Sequence, residues 1–386
     1  MDQGTIQTLF ALLRSAIGGE EMTEEAKTHT REKLPELMRI AKKHDVAHLL
    51  VLALKNNSLM PSDASETEKI MLRAVYRYER LNYEYVQLCQ ALETAEIDFI
   101  PLKGSVLRKY YPQAWMRTSC DVDILVRRED LDRAVKCLVQ NLQYVEKEHA
   151  SHDVSLYTPM NNHIELHFDL VEEGHANNAI EILCGVFDNV LPHEDKKHWY
   201  DMPDEFFYFY HIAHMAKHFE IGGCGIRPFI DLWILDRLED AHHGKRDELL
   251  EAGGLLKFAN AARKLSRVWF DGEDADTISL KMEAFILSGG VYGTYDNRIA
   301  VQQQKKGGKL GYIMSRIFMP YSMLKRYYPI LEKHRWLAPI MQIRRWFRLF
   351  RPDVARRSKN EIAANANVDA SRAEEMNVFL DNIGLK

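Results

Sequence analysis

Asp121 and Asp123 are the residues whose type and spacing point most directly to chemistry. They lie in Cys120-Asp121-Val122-Asp123-Ile124-Leu125-Val126, where strand alternation sends Val122, Ile124 and Val126 to a core and both aspartates to the opposite face. Two carboxylates on one strand face repel each other. A divalent cation relieves that repulsion, and a hard ion such as Mg²⁺ prefers oxygen ligands and commonly brings phosphate oxygens with it. The pair therefore reads as half of a metal site. Downstream, His163-Ile164-Glu165-Leu166-His167-Phe168-Asp169 alternates without a break, which puts His163, Glu165, His167 and Asp169 on one face. Glu165 is then placed to complete a three-carboxylate cluster with Asp121 and Asp123.

These side chains need a small sheet to hold them. The pattern predicts strands near 98–102, 121–126, 143–148, 153–158 and 163–169, with helices after Gly104 and over Glu129–Gln140. Phe99-Ile100-Pro101-Leu102 gives way at Gly104 to a helical run through Val106, Leu107 and Tyr110, so Gly104 and Ser105 fall at a strand-to-helix turn. Free N–H groups there attract phosphate, glycine lets it approach, and a serine hydroxyl adds a donor. The unit is too small for a Rossmann domain, and neither GxGxxG nor a phosphate-loop lysine motif occurs.

The rest reads as helix. Helical apolar spacing runs from Ile6 to Ile17, from Leu34 to Leu54 and, after a polar break at Asn56–Ser65, from Glu66 to Ala95. His44, at a helix end, reads as a cap or a ligand contact. Beyond the sheet, Glu205–Phe219 carries His211, His214 and His218 on one helical face, a row able to bind metal or to pack hydrogen-bonded against the sheet. Arg227 and Asp231 begin the next helix and are spaced to pair; Asp236–Asp247 is a charged connection, and helices follow from Glu248 to Val291. The expected fold is α+β, a small mixed sheet with helices embedded between helical N- and C-terminal regions. The expected divisions are 1–95, 96–175, 176–300 and 301–386.

Taken together, Leu102-Lys103-Gly104, Tyr111-Pro112, Arg117, Asp121-Val122-Asp123-Ile124-Leu125-Val126 and Ile164-Glu165-Leu166-His167 resemble the bacterial family usually called uncharacterised nucleotidyltransferases, over roughly residues 30 to 240. More distantly they resemble the superfamily that includes DNA polymerase beta and the aminoglycoside nucleotidyltransferases. Two departures from the superfamily pattern are the long gap between Ser105 and Asp121 and Lys103 at a position usually hydrophobic; both fit the narrower family. That family recurrently has a helix with His-x-x-x-His and then a hydrophobic segment ending in Asp. The resemblance implies that His214, His218 and Asp231, which match it, line the active cleft, and that Arg117, preceding the Asp pair, meets phosphate charge.

Composition bounds the setting. With 386 residues the chain is long enough for two or three packed units. Five scattered cysteines without CxxC spacing argue against a disulfide framework or a zinc site and favour a reducing, cytoplasmic setting. The N-terminus lacks an export pattern, and no stretch approaches the roughly 20 apolar residues of a membrane span. Net charge is −5, unevenly spread: residues 302–351 hold twelve Lys or Arg against the single Glu332, leaving the remainder strongly acidic. Residues 302–309 read as a polar, flexible joint. Beyond it, Leu324–Leu331 and Trp336–Phe350 alternate bulky apolar residues with arginine, with Trp336, Ile340, Ile343, Phe347 and Phe350 spaced by four and three. Such a basic amphipathic helix suits an anionic membrane interface, an acidic partner or the protein's own helical domain. The residues after Asn360 read as a short helix or a loose tail.

The function expected is Mg²⁺-dependent transfer of a nucleoside monophosphate from an NTP, with ATP the expected donor, to an acceptor hydroxyl. Asp121, Asp123 and Glu165 are the catalytic and metal-binding set, with Glu165 activating the acceptor. Lys103, Gly104, Ser105, Arg117, His167, His214, His218 and Asp231 are the nucleotide-side candidates. Two alternatives stand beside this reading. One is a regulatory protein of the same fold that holds nucleotide or phosphate without turnover. The other is a nucleic-acid binder using the basic C-terminal region, which the acidic remainder and the lack of a known reader motif disfavour, above all for sequence-specific binding.

Overall fold

The computed structural model describes residues 2–62, 65–150, 152–170, 178–291, 293–305, 308–321, 324–325, 328, 330–347, 365 and 370–385. Three helices open the chain: α1 (Gln3–Gly18), α2 (Glu24–Lys43) and α3 (Ala47–Asn56). Asp2 caps α1 by accepting from the Thr5 N–H at 2.9 Å, and Gly19 ends it at φ 72°, a conformation glycine adopts without strain. The apolar stripe read over Leu34–Leu54 is interrupted at His44–Asp45, where Asp45 takes φ 54° and turns the chain. His44 is fully buried in that turn, and burial pushes its imidazole down to about 4. The long α4 (Ser65–Thr94) follows, with Leu81, Leu88 and Leu92 on its buried side.

The α+β architecture is as expected. Strands β1 (Phe99–Pro101), β2 (Asp121–Val126), β3 (Val145–His149), β4 (Asp153–Tyr157) and β5 (His163–His167) form one mixed sheet in the order β1-β2-β5-β4-β3. Only β2 and β5 run parallel; the other neighbours are antiparallel. Alternation decides what each face does. Val122, Ile124, Val126, Ile164 and Leu166 join Phe99, α4 and α6 (Leu131–Leu142) in one apolar cluster. The other face carries Asp121, Asp123, Glu165 and His167. Between β1 and β2 lie α5 (Lys103–Leu107) and two 3₁₀ turns.

After the short α7 (Ala179–Cys184) and the ribbon β6 (Leu191–Pro192)–β7 (Tyr200–Asp201), α8 (Asp204–Glu220) is buried on nearly all sides. A helix this apolar belongs inside a core rather than at a surface. Around it pack α9 (Arg227–Leu235), α10 (His243–Ala252), α11 (Leu256–Phe270) and α12 (Thr277–Ser288). One continuous core unites them with α1–α3: Phe10 stacks on Trp269 with centroids 4.3 Å apart.

Three expectations need correcting. The charged connection Asp236–Asp247 includes the start of α10, and within it Arg246 is fully buried, bonding Asp204 and the Leu235 carbonyl. The joint read over 302–309 is helical through Lys305, as α13 (Tyr295–Lys305), with Gln303 buried and donating to the Asn365 side chain at 2.8 Å. Gln and Lys are good helix formers, and the two glycines alone are weak ground for a joint starting at Gln302. Beyond α14 (Gly308–Ile317), Arg335–Leu337 is a 3₁₀ turn leading into the helix Ala338–Phe347; Arg348, Phe350 and Arg351 lie outside the described residues. The tail returns as the helix Ala370–Asn382, which buries Phe379 and Leu380 in the main core. Among the described residues no helix is long and apolar enough to cross a membrane.

Candidate active site

The parallel pairing of β2 with β5 sets the register of the acids. Asp121 faces His163, Asp123 faces Glu165 and Leu125 faces His167. The same-face alternation of two strands thus becomes a compact group: Asp121, His163 and Glu165 present ligand atoms all within 4.8 Å of one another, and so do Asp123, Glu165 and His167. Three carboxylates with two imidazoles at the margin suit a divalent cation, and the oxygen majority suits a hard one.

Lys103 supplies the positive charge already present. Its Nζ lies 2.7 Å from Asp123 Oδ1 and 3.8 Å from Glu165 Oε2. Lys103 has φ 44°, a left-handed backbone unusual for a residue with a Cβ, and it stands where β1 passes into α5, next to Leu102, whose N–H bonds the Asp123 carbonyl at 3.1 Å. His167 Nε2 lies 2.9 Å from Asp123 Oδ1 and 3.3 Å from Glu165 Oε2. With carboxylates on that side, Nε2 carries the proton and donates. The electrostatics follow. Burial works to raise the Asp123 carboxyl, but Lys103 and the His167 hydrogen bond overcome it and hold Asp123 far below its ordinary range. Burial and Lys103 work to lower His167, and its bonds to Asp123 and Glu165 raise it on balance. Asp121 lacks so close a cation. Burial and the charges of Asp123 and Glu165 push it up to about 7.

The Gly104–Ser105 turn stands beside this group. A Cβ at Gly104 would meet Ser119 Cβ at 3.2 Å, a tight approach. Ser105 Oγ is buried without a hydrogen-bond partner, as is Arg108 Nη1. Arg108 donates from Nε to the Gly104 carbonyl at 3.0 Å. A hydroxyl and a guanidinium nitrogen without protein partners beside Gly104 are donors that an anion's oxygen atoms could satisfy. Arg108 and Ser119 were not singled out from sequence; the signal available was Arg108 one helical turn beyond Gly104.

Arg117 and Asp231 are brought together, but with each other. Arg117 Nε and Nη2 reach the two Asp231 oxygens at 2.7 and 2.8 Å, and the Tyr111 hydroxyl donates to Oδ1 at 2.7 Å. Asp231 is fully buried, and Arg117 Nη1 donates to the Thr118 carbonyl at 2.7 Å. The clamp ties α9 to the segment leading into β2. The Arg227–Asp231 pair expected at i,i+4 is replaced: Arg227 donates to Asp45 Oδ2 at 2.9 Å and to the Thr118 carbonyl at 2.9 Å.

The three histidines of α8 divide. His211 bonds the Pro228 carbonyl at 3.1 Å and is structural. His214 and His218 meet Nε2 to Nε2 at 3.3 Å. Burial drives His214 well below its ordinary value, aided by His218 and Lys103, and takes His218 down to about 4, so both are neutral near pH 7. Burial likewise raises the Tyr210 phenol against the charge of Lys103, with Asp123, Glu165 and Asp121 adding to the rise. The charges of Lys103 and Asp123 act on both His214 and Tyr210, which puts this part of α8 within electrostatic reach of the acidic group. Neither Tyr210 nor a direct role for His163, whose Nε2 meets Ser155 Oγ at 3.1 Å, had been singled out from sequence.

No curated protein and no solved structure shows significant similarity to the chain. The profile of a family described as uncharacterised nucleotidyltransferase matches residues 30–271, which run from within α2 to the end of α11 and contain every residue of the site. The chain belongs to that family of nucleotidyltransferases.

Proposed function

We propose that the protein transfers a nucleoside monophosphate from an Mg²⁺-bound NTP, ATP by preference, to an acceptor hydroxyl with release of pyrophosphate. The observation that carries this reading is the register of Asp123 opposite Glu165, with Asp121 on the same face. Asp121, Asp123 and Glu165 would hold the cation, which supplies charge neutralisation at the triphosphate and at the departing pyrophosphate. Gly104 and Ser105 receive the terminal phosphates, with Arg108 Nη1 as a further donor.

Lys103 serves both states. Without nucleotide its ammonium compensates Asp123; with nucleotide bound it turns to phosphate oxygen, since the carboxylates have another cation to face. In the transfer itself the acceptor oxygen bonds the α-phosphorus, the bond from that phosphorus to the bridging oxygen breaks, and the hydroxyl proton passes to a Glu165 oxygen. The Arg117–Asp231–Tyr111 clamp positions the segment entering β2, and the neutral His214–His218 pair lines the cleft on the nucleotide side. Most of the catalysis is positioning and preorganised charge.

The test is transfer of label. Purified protein incubated with Mg²⁺ and each α-³²P-labelled NTP in cell extract should place label on an acceptor and release pyrophosphate in equal amount, and Asp121→Asn should not. Hydrolysis alone, or no transfer from any NTP, would contradict the reading.

A further inference from the structure

The family match ends at residue 271, and the basic segment lies beyond it. Here the C-terminal end of α14 is joined to the helix Ala338–Phe347 through one carbonyl. The Ile317 oxygen accepts from Gln342 Nε2 at 2.6 Å and from Trp346 Nε1 at 2.8 Å, and Phe318 meets the Trp346 ring edge-on at 5.6 Å. Both segments leave large apolar side chains exposed. Leu310, Met314 and Ile317 are spaced by four and three, and so are Trp336, Ile340 and Ile343; Leu310 is 78 % exposed and Trp336 71 %.

Two exposed apolar rows within one short stretch of chain call for a partner. Their charge identifies it. Residues 302–351 carry twelve Lys or Arg against one Glu, while the rest of the chain is acidic. A symmetric contact between two copies through this region would bring two strongly basic stretches of chain together. Nucleic acid would satisfy the charge and could stack bases on Trp336 and Phe347, but it would leave the exposed Leu310, Met314, Ile340 and Ile343 uncovered. A bilayer rich in anionic phospholipid satisfies both properties: phosphate headgroups meet the cations while aliphatic side chains and Trp336 enter the headgroup–acyl boundary. Neither helix is long enough to span, so a bilayer would take both at its surface. We propose that this surface docks the protein peripherally on an anionic membrane, with the acidic remainder of the chain held away by its own charge.

The full chain is sedimented with sucrose-loaded vesicles of phosphatidylcholine alone or with about three parts in ten phosphatidylglycerol. Anionic vesicles should bind at least about tenfold more protein, less so as salt is raised. Trp336→Glu with Ile343→Glu should remove most of that binding with unfolding temperature unchanged. Arg335→Gln with Arg344→Gln, which keeps the apolar face, should weaken it about tenfold and provides the readout if the first variant does not fold. Equal binding to both vesicle types, no binding, or undiminished binding by both variants would overturn the proposal. So would a dimer, or a salt-sensitive polynucleotide complex, that the same substitutions dissolve in place of a vesicle complex.

Discussion

The ammonium of Lys103 lies 2.7 Å from a carboxylate oxygen of Asp123, inside the group of acids that would hold a metal. A lysine in that place is a counter-ion that a metal must share or displace. Lys103→Met should therefore raise Mg²⁺ affinity in the absence of nucleotide, yet weaken Mg²⁺-NTP binding by about tenfold or more, because a charge-assisted phosphate contact is lost. The metal-free variant should also unfold at a lower temperature, since a buried Asp123 would lose its nearest cation, and Mg²⁺ should restore part of the difference. Titration calorimetry and thermal unfolding with and without Mg²⁺ read both effects; unchanged metal affinity would remove the counter-ion role.

Asp121 gives the site a pH dependence. Burial and its acidic neighbours place it at about 7 against an ordinary 3.8, so in the metal-free protein it is protonated over most of the range below neutrality. A proton must leave before a cation binds, so metal affinity should rise about tenfold per pH unit up to about 7 and level off above it. The linked stability has the opposite sign. A raised carboxyl favours the folded state fully below about 4, and that contribution is lost as pH rises toward 7. Asp121→Asn should flatten the affinity curve between pH 5 and 7, and a curve that keeps its slope would assign the proton elsewhere.

The Arg117–Asp231–Tyr111 clamp is a positioning device with a large structural cost if cut. Asp231→Asn leaves the buried Arg117 guanidinium facing an uncharged amide, and removal of one partner of such a pair costs about 3–5 kcal/mol. Tyr111→Phe removes one neutral donor to a charged acceptor and should cost about 1–3 kcal/mol. Denaturant unfolding checks the order; an Asp231→Asn protein as stable as the parent would mean that the pair contributes nothing to holding α9 on the site.

Glu165 is separable from the other acids. If it accepts the acceptor proton, Glu165→Gln should reduce turnover by about a hundredfold or more while changing NTP affinity much less. Parallel losses in turnover and affinity would reduce Glu165 to a metal holder.

Much of this arrangement was legible before any coordinates. Strand alternation put Asp121 with Asp123 and Glu165 with His167 because period-two patterning with apolar residues on one face admits a single assignment. It could not show that Asp123 stands opposite Glu165, since register depends on strand order and direction. Nor could it place the Lys103 side chain, which depends on a left-handed backbone at a residue that usually avoids one. His211 and His218 share a helical face yet lie about 10 Å apart along the axis, so one meets α9 and the other His214. One face was not one site. In the C-terminal region the amphipathic pattern was plain, but periodicity says which residues share a face, not whether another element covers it.

The central claim is tested most directly by nucleotide binding at the paired acids. Each of the four NTPs is titrated into the parent protein and into Asp123→Asn, with Mg²⁺ and with chelator, the fold being checked by circular dichroism. The account predicts that the parent binds at least one NTP only when Mg²⁺ is present, and that folded Asp123→Asn loses this metal-dependent binding. Equal Mg²⁺-NTP affinity in the two proteins, or binding by the parent that ignores Mg²⁺, would contradict it.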